Sequence, residues 1–117
     1  MIRRAEIIAA LERLADVRWQ YDAWVRRART SYSGSFNDVI ADLYDTGDVR
    51  RLLAQPLSES GLSSKEHHAL EAAVKIIDAL LEDHPSDEPD EAILQDSRWP
   101  QIRIAAGRAA KVLQEST

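Results

Sequence analysis

The chain predicts an all-α fold, a compact single-domain bundle of about five helices with one or two extra helical turns. Three observations carry that prediction. No segment alternates apolar and polar residues with period two over any length, so no half-buried strand is written into it. Leu70, Ala73, Val74, Ile77, Leu80 and Leu81 recur at steps of three and four residues for almost four turns. Helix punctuation divides the rest: capping-box spacing at Ser63 and Glu66, a near-match at Ser35 and Asp38, and stops at Gly47, Pro56 and Pro85.

Taken in order, residues 3–15 place Ile7, Ile8, Leu11, Leu14 and Ala15 on one face, with Arg4, Glu6, Glu12 and Arg13 on the other. Residues 17–29 carry Val17, Tyr21, Trp24, Val25 and Ala28 on a second stripe, and Trp19 falls nearly opposite it. Thr30 to Gly34 is a loop by composition. Ser35 caps a third helix, residues 36–45, with Phe36, Val39, Ile40, Leu43 and Tyr44 inward and Asp38, Asp42 and Asp45 opposite. Gly47 ends it, since glycine takes positive φ at little cost. Residues 48–54 make a short helix that stops before Pro56, and 55–63 read as a linker within the domain. The helix that Ser63 opens runs to His84 and is expected to be the central one, because Ala69, Ala72, Ile76 and Ala79 widen its apolar face. An acidic turn, Ser86 to Glu91, leads into a single helical turn through Leu94. The last helix, residues 97–114, turns Trp99, Ile102, Ala106, Ala109 and Leu113 inward and leaves Ile104 beside Arg108 and Lys111.

A short echo ties the two ends together. Leu14-Ala15-Asp16-Val17-Arg18-Trp19 and Leu94-Gln95-Asp96-Ser97-Arg98-Trp99 share the pattern Leu-x-Asp-x-Arg-Trp. Each copy ends one apolar segment and opens another, so each Asp is expected to accept from the free N–H groups of the next helix.

Composition narrows the function classes. A chain of 117 residues is long enough for one core, and 44% apolar with 30% charged residues is a globular balance. No apolar run approaches the roughly 20 residues of a membrane helix, and the start lacks the compact apolar stretch of a signal peptide. The absence of cysteine excludes disulfides, thiolate metal sites and cysteine nucleophiles. The expected location is therefore the cytoplasm, with no membrane partner. The net charge of −5 is unevenly spread: residues 1–30 carry +3, residues 31–96 carry −11, and residues 97–117 carry +3. Either the basic ends balance the middle across the surface, or the middle is an acidic face that attracts a basic partner. Plain nucleic-acid binding is disfavoured, because it needs a dominant basic patch.

Candidate chemistry is sparse. His67 and Glu71 have i, i+4 spacing, but His67 and His68 point about 100° apart on a helix, and no third metal ligand is suggested except His84, one helix-length away. They read as polar residues flanking the apolar stripe. Asp38, Asp42, Asp45 and Asp48 read as a solvated face, a partner-binding face or a site for a hard cation, and no EF-hand pattern is present. Asp87, Glu88, Asp90 and Glu91 form a second acidic patch. Trp24 and Trp99 are core candidates. Trp19, among Ala23, Arg26 and Arg27 on its helix face, either packs on another helix or anchors a partner. There is no phosphate-cradling Gly-rich loop, no Gly-x-Ser-x-Gly and no His-Glu-x-x-His, so neither an enzyme nor a cofactor is expected.

The order Arg3-Arg4, Leu14-Ala15-Asp16, Trp19-Gln20, Trp24 and Asp96-x-Arg98-Trp99-x-x-Ile102 resembles that of small acidic actinobacterial proteins with no established function. The resemblance spans most of the chain and implies a compact helical domain, with no catalytic residues to carry over. In size and acidity the chain is also similar to immunity proteins, which cap a toxin's basic site. The leading expectation is a non-enzymatic protein-binding module, an immunity- or antitoxin-like inhibitor in its concrete form. Its binding face would comprise Asp38, Asp42, Asp45, Asp87, Glu88, Asp90, Glu91 and Trp19. The alternative is a ligand-responsive or DNA-associated regulatory protein that uses the Arg-rich ends. A homodimer is compatible with both.

Overall fold

A computed structural model describes residues 3–20, 36–84 and 90–115, with Val17, Asp90 and Glu91 described by backbone alone. Among these residues every regular element is helical: α1 (Arg4–Ala15), α2 (Val17–Gln20), α3 (Phe36–Ala41) running into a π-helical turn (Asp42–Thr46), α4 (Val49–Ala54), α5 (Leu57–Ser60), α6 (Ser64–Asp83), α7 (Asp90–Leu94) and α8 (Trp99–Glu115). The all-α reading holds. None of these helices is long and apolar enough to cross a membrane. Residues 55–63, read as linker, contain the one-turn helix α5, and the turn expected through Leu94 is α7. The stripe of Tyr21, Trp24 and Val25, the loop at 30–34 and the Ser35 cap lie outside the described residues.

The frame is made of α1, α6 and α8. Ascending residues of α1 meet descending residues of α8. Gln114 Nε2 donates to Glu12 Oε2 at 2.8 Å, and Gln20, just past α1, accepts from Trp99 Nε1 at 3.0 Å. The two helices are therefore antiparallel. α6 also runs antiparallel to α8, since its far end meets Asp96 and Arg98 while Glu66 at its start joins Arg4, whose guanidinium reaches the Leu113 carbonyl. α8 packs along both neighbours, so α8 and not α6 is the central helix. The reason is the width of its buried surface. Ala106, Ala109 and Ala110 admit close neighbours on two sides, whereas Ala72 and Ala79 of α6 face solvent. The core residues read from spacing are otherwise in place: Ile7, Leu11, Leu14, Phe36, Val39, Leu43, Leu70, Val74, Ile77, Leu80, Trp99, Ile102 and Leu113 are buried, and Leu81 is half-buried against them.

The start of α6 is a complete capping box. Ser63 Oγ accepts from the Glu66 N–H at 3.1 Å and Glu66 Oε1 accepts from the Ser63 N–H at 2.8 Å. Glu66 is only 2% exposed, and its other oxygen bonds the Arg4 guanidinium. One carboxylate thus caps α6 and clamps it to α1, which removes Arg4 from the solvent face assigned to it by spacing. Such a pair is costly to break, because its loss strands a buried charge.

The third helix does not end as its glycine suggests. Gly47 has φ −76° and is buried, and its N–H donates to the Asp42 carbonyl at 2.9 Å, closing the π turn. Space, not handedness, requires glycine here. A methyl at Gly47 would lie 2.6 Å from the Leu43 carbonyl oxygen and 2.8 Å from Ile7 Cγ1. The left-handed residue is Asp48, at φ 54°, one of the few side chains that tolerate that region.

Candidate functional site

The acidic series on α3 and the π turn is split by its surroundings. Asp38 is half-buried. Asp42 Oδ2 accepts from Arg13 Nη1 at 3.1 Å, and the same guanidinium lies 5.9 Å from the centre of the Trp19 ring. Asp45 stays exposed without a hydrogen bond or ion pair among the described residues, and Asp48 pairs with Arg51 at 2.7 Å. The π turn matters to this division. Its widened backbone sits against Ile7 through Gly47, which holds Asp42 over α1 within reach of Arg13.

Beside Asp45, Tyr44 Oη donates to Asp78 Oδ1 of α6 at 2.6 Å, while Arg50 stacks 4.6 Å over the Tyr44 ring and donates to the same carboxylate oxygen at 2.9 Å. Burial pushes the Tyr44 phenol well above its ordinary range, and the bond to Asp78 pushes it the same way. Glu71, Lys75, Asp78 and Glu82 share one stripe of α6 at i, i+4, i+7 and i+11. The Tyr44–Asp78 bond sets that stripe next to the π turn. Glu71 and Glu82 are exposed and, like Asp45, make no ion pair among the described residues.

Two of the three histidines tie segments together. His67 Nε2 donates to the Leu53 carbonyl at 3.1 Å, tying α6 to the end of α4, and His68 is exposed. His84 Nε2 lies 2.7 Å from Asp96 Oδ2, both side chains being mostly buried. Asp96 also accepts from the Arg98 guanidinium at 2.8 and 3.0 Å and from the Arg98 backbone N–H at 2.8 Å. The bonds from Arg98, then that from His84, hold the Asp96 carboxyl far below the usual carboxylate range. Arg98 goes on to the Asp83 carboxylate at 2.9 Å and the Ala79 carbonyl at 3.1 Å, a cation placed at the C-terminal end of α6. Among the described residues no three His, Asp or Glu side chains gather as a metal site.

Of the echoed aspartates, Asp16 caps the next helix as its spacing implies, whereas the Asp96 carboxylate accepts from the Arg98 N–H in the turn before α8 and from no N–H of α8 itself. Asp16 Oδ1 accepts from the Trp19 N–H at 3.0 Å and caps α2. Asp96 caps the turn one residue ahead of α8, since it accepts from Arg98 and its own carbonyl accepts from the Trp99 N–H at 3.0 Å. The residue between the copies was missed. Gln20 is fully buried, donates to the Arg13 and Leu14 carbonyls at 2.8 and 2.7 Å, and accepts from Trp99 Nε1. It satisfies orphan carbonyls at the end of α1 and orients the indole of α8 together. Only its adjacency to Trp19 hinted at a role.

Of the second patch, Asp87 and Glu88 lie outside the described residues, and Asp90 and Glu91 open α7. Trp19 is half-buried and packs against the core.

With this geometry in view, the sequence match is to the family described as Domain of unknown function (DUF7945), over residues 2–117. The chain belongs to the DUF7945 family. The match covers the whole bundle, both echoed aspartates and the acidic middle, so in this DUF7945 domain the frame and the candidate surface fall within one matched unit. No curated protein and no solved structure matches the chain.

Proposed function

We propose that this DUF7945 protein is a non-enzymatic protein-binding module whose acidic surface engages a basic partner. The observation that carries the reading is the residue of charge left after internal pairing. Arg4, Arg13 and Arg98 from the basic ends bridge to Glu66, Asp42, Asp83 and Asp96 of the middle, so part of the imbalance is settled inside the molecule. Asp45, Glu59, Glu71 and Glu82 remain exposed and unpaired among the described residues. Asp45, Glu71 and Glu82 lie on the elements that the Tyr44–Asp78–Arg50 contact joins. An immunity- or antitoxin-like inhibitor, acting in the cytoplasm of an actinobacterium, is the concrete form of this reading. The regulatory alternative leans on the Arg-rich ends, three of whose arginines are engaged internally.

Exposed acids act mainly by steering. For a captured basic partner, association with the wild type should slow as salt rises from about 0.1 to about 1 M and the Debye length falls from about 10 to about 3 Å. The variant D45N/E71Q/E82Q disturbs no internal bond. It should associate more slowly at low salt, with a flatter salt slope and an unchanged thermal midpoint. Equal rates and slopes for both proteins reject the acidic surface as the binding face.

A further inference from the structure

On the outer seam of the frame, α1 and α8 leave an open groove of about 590 Å³ between Glu12 and Ala15 of α1, Asp16 at its C-cap, and Gly107, Ala110, Lys111 and Gln114 of α8, with Gln114 bonded to Glu12 across it. Gly107 adds no side chain to the groove floor, where a methyl would come into ordinary contact with Ala15 Cβ at 3.5 Å. One turn before Gly107 stands Ile104, 64% exposed and the most exposed large apolar side chain among the described residues. Arg108 and Lys111 continue its stripe, and neither makes an ion pair among the described residues. The face therefore has two parallel rows, an acidic one on α1 and a basic one on α8, with an apolar strip along them.

We propose that this face receives a second copy of the chain, as a dimer whose two-fold axis runs parallel to α1 and α8. A two-fold in that direction lays α1 of one copy on α8 of the other at the same height. Glu12 and Asp16 then meet Lys111 and Arg108, and the pairing occurs twice by symmetry. A two-fold across the rows would set acid on acid and base on base, so the charges select one orientation. Ile104 and the strip beside Ala15 and Gly107 lose water in the same step. The size of the face sets the strength. α1, with 12 residues, is about 18 Å long, and two packed helices span about 20 Å, so two copies bury less than roughly 1,000 Å². That is the scale of a weak, concentration-dependent association.

Sedimentation equilibrium on the full chain from about 10 μM to about 1 mM, the range of weak encounters, tests the proposal. The wild type should pass from monomer to dimer across this range, and more weakly at high salt. Ile104→Glu and Lys111→Glu should each raise the dissociation constant about tenfold or more, with helicity and thermal midpoint unchanged because both positions face solvent. The charge exchange E12K/K111E should recover most of the loss. A wild type that stays monomeric at about 1 mM overturns the proposal, as does a dimer indifferent to both single variants. None of these substitutions touches Asp45, Glu71 or Glu82, so the result stands apart from the partner reading above.

Discussion

The two copies of Leu-x-Asp-x-Arg-Trp start from one pattern and end in different environments. In the first, Asp16 is exposed and makes one cap bond, Arg18 is exposed, and Trp19 is half-buried under Arg13. In the second, Asp96 is enclosed by Arg98 and His84, and Trp99 is 3% exposed, edge-on to Phe36 at 5.9 Å with its N–H on Gln20. The six-residue pattern dictates a local turn and a cap in both places. The energetic weight of that turn comes from the third and fourth elements that close over it. The second copy has α3 and the end of α6 around it, whereas the first lies at the open α1–α8 seam, with Ala15 facing Gly107 and Trp19 under Arg13.

That difference orders the expected effects. The largest is at the tryptophans. Trp99→Ala should cost about 3–5 kcal/mol, the range for a buried aromatic, while Trp19→Ala should cost less than half as much, because its ring is already partly in water. Urea unfolding of both variants measures the gap, and equal losses would erase the distinction between the copies. Next is the link between them. Gln20→Leu keeps the volume but strands two carbonyls and the Trp99 N–H, and should cost about 1–3 kcal/mol in total. Tryptophan fluorescence of that variant should also shift, since the Trp99 indole loses its acceptor.

The smallest effect is the most diagnostic, because it is read through pH. Asp96 titrates lower in the folded chain than the unfolded value of about 3.9, so its contribution is complete above about pH 5 and drains away as pH falls through 4 and below. Asp96→Asn should therefore lose about 1.5–3 kcal/mol near pH 7, and the gap to wild type should close toward about pH 2. Asp16→Asn, with a single exposed cap bond, should cost well under 1 kcal/mol at neutral pH, since Asn caps nearly as well as Asp. Parallel pH profiles for wild type and Asp96→Asn would show that the enclosed carboxylate does not stabilise the fold through its charge.

Local rules reached the fold because most of it is local. The i, i+3, i+4 spacing of Leu70, Val74, Ile77 and Leu80 and the Ser63–Glu66 box needed no knowledge of neighbours, and both are present. The errors come from contacts distant in the chain. Gly47 looks like a stop by identity, yet it is there because the Leu43 carbonyl of the π turn and Ile7 of another helix both approach too closely for a side chain. α6 has the clearest stripe, but centrality belongs to α8, whose small residues are read as a weak stripe until two partners are known. The acidic series was legible as a series. Its division was not, because Arg13, which takes Asp42 out of the free set, sits 29 residues away on the face assigned to solvent. Glu71 and Glu82 join the candidate surface only through Tyr44, and Tyr44 finds Asp78 across 34 residues of chain.

The antiparallel seam of α1 and α8 also has a consequence in time. Within this sequence α1 precedes its principal partner α8 by more than eighty residues of chain. At typical synthesis rates of about 5–20 residues per second, the π turn that packs on Ile7 emerges early, but the side of α1 that faces α8 waits for roughly 5–20 seconds before its partner exists. During that interval the apolar residues of α1 are only partly covered, and a helix of 12 residues is marginal in water without its partner. The bundle is short, but its assembly cannot proceed from one end to the other; its first helix is finished only when its last one arrives.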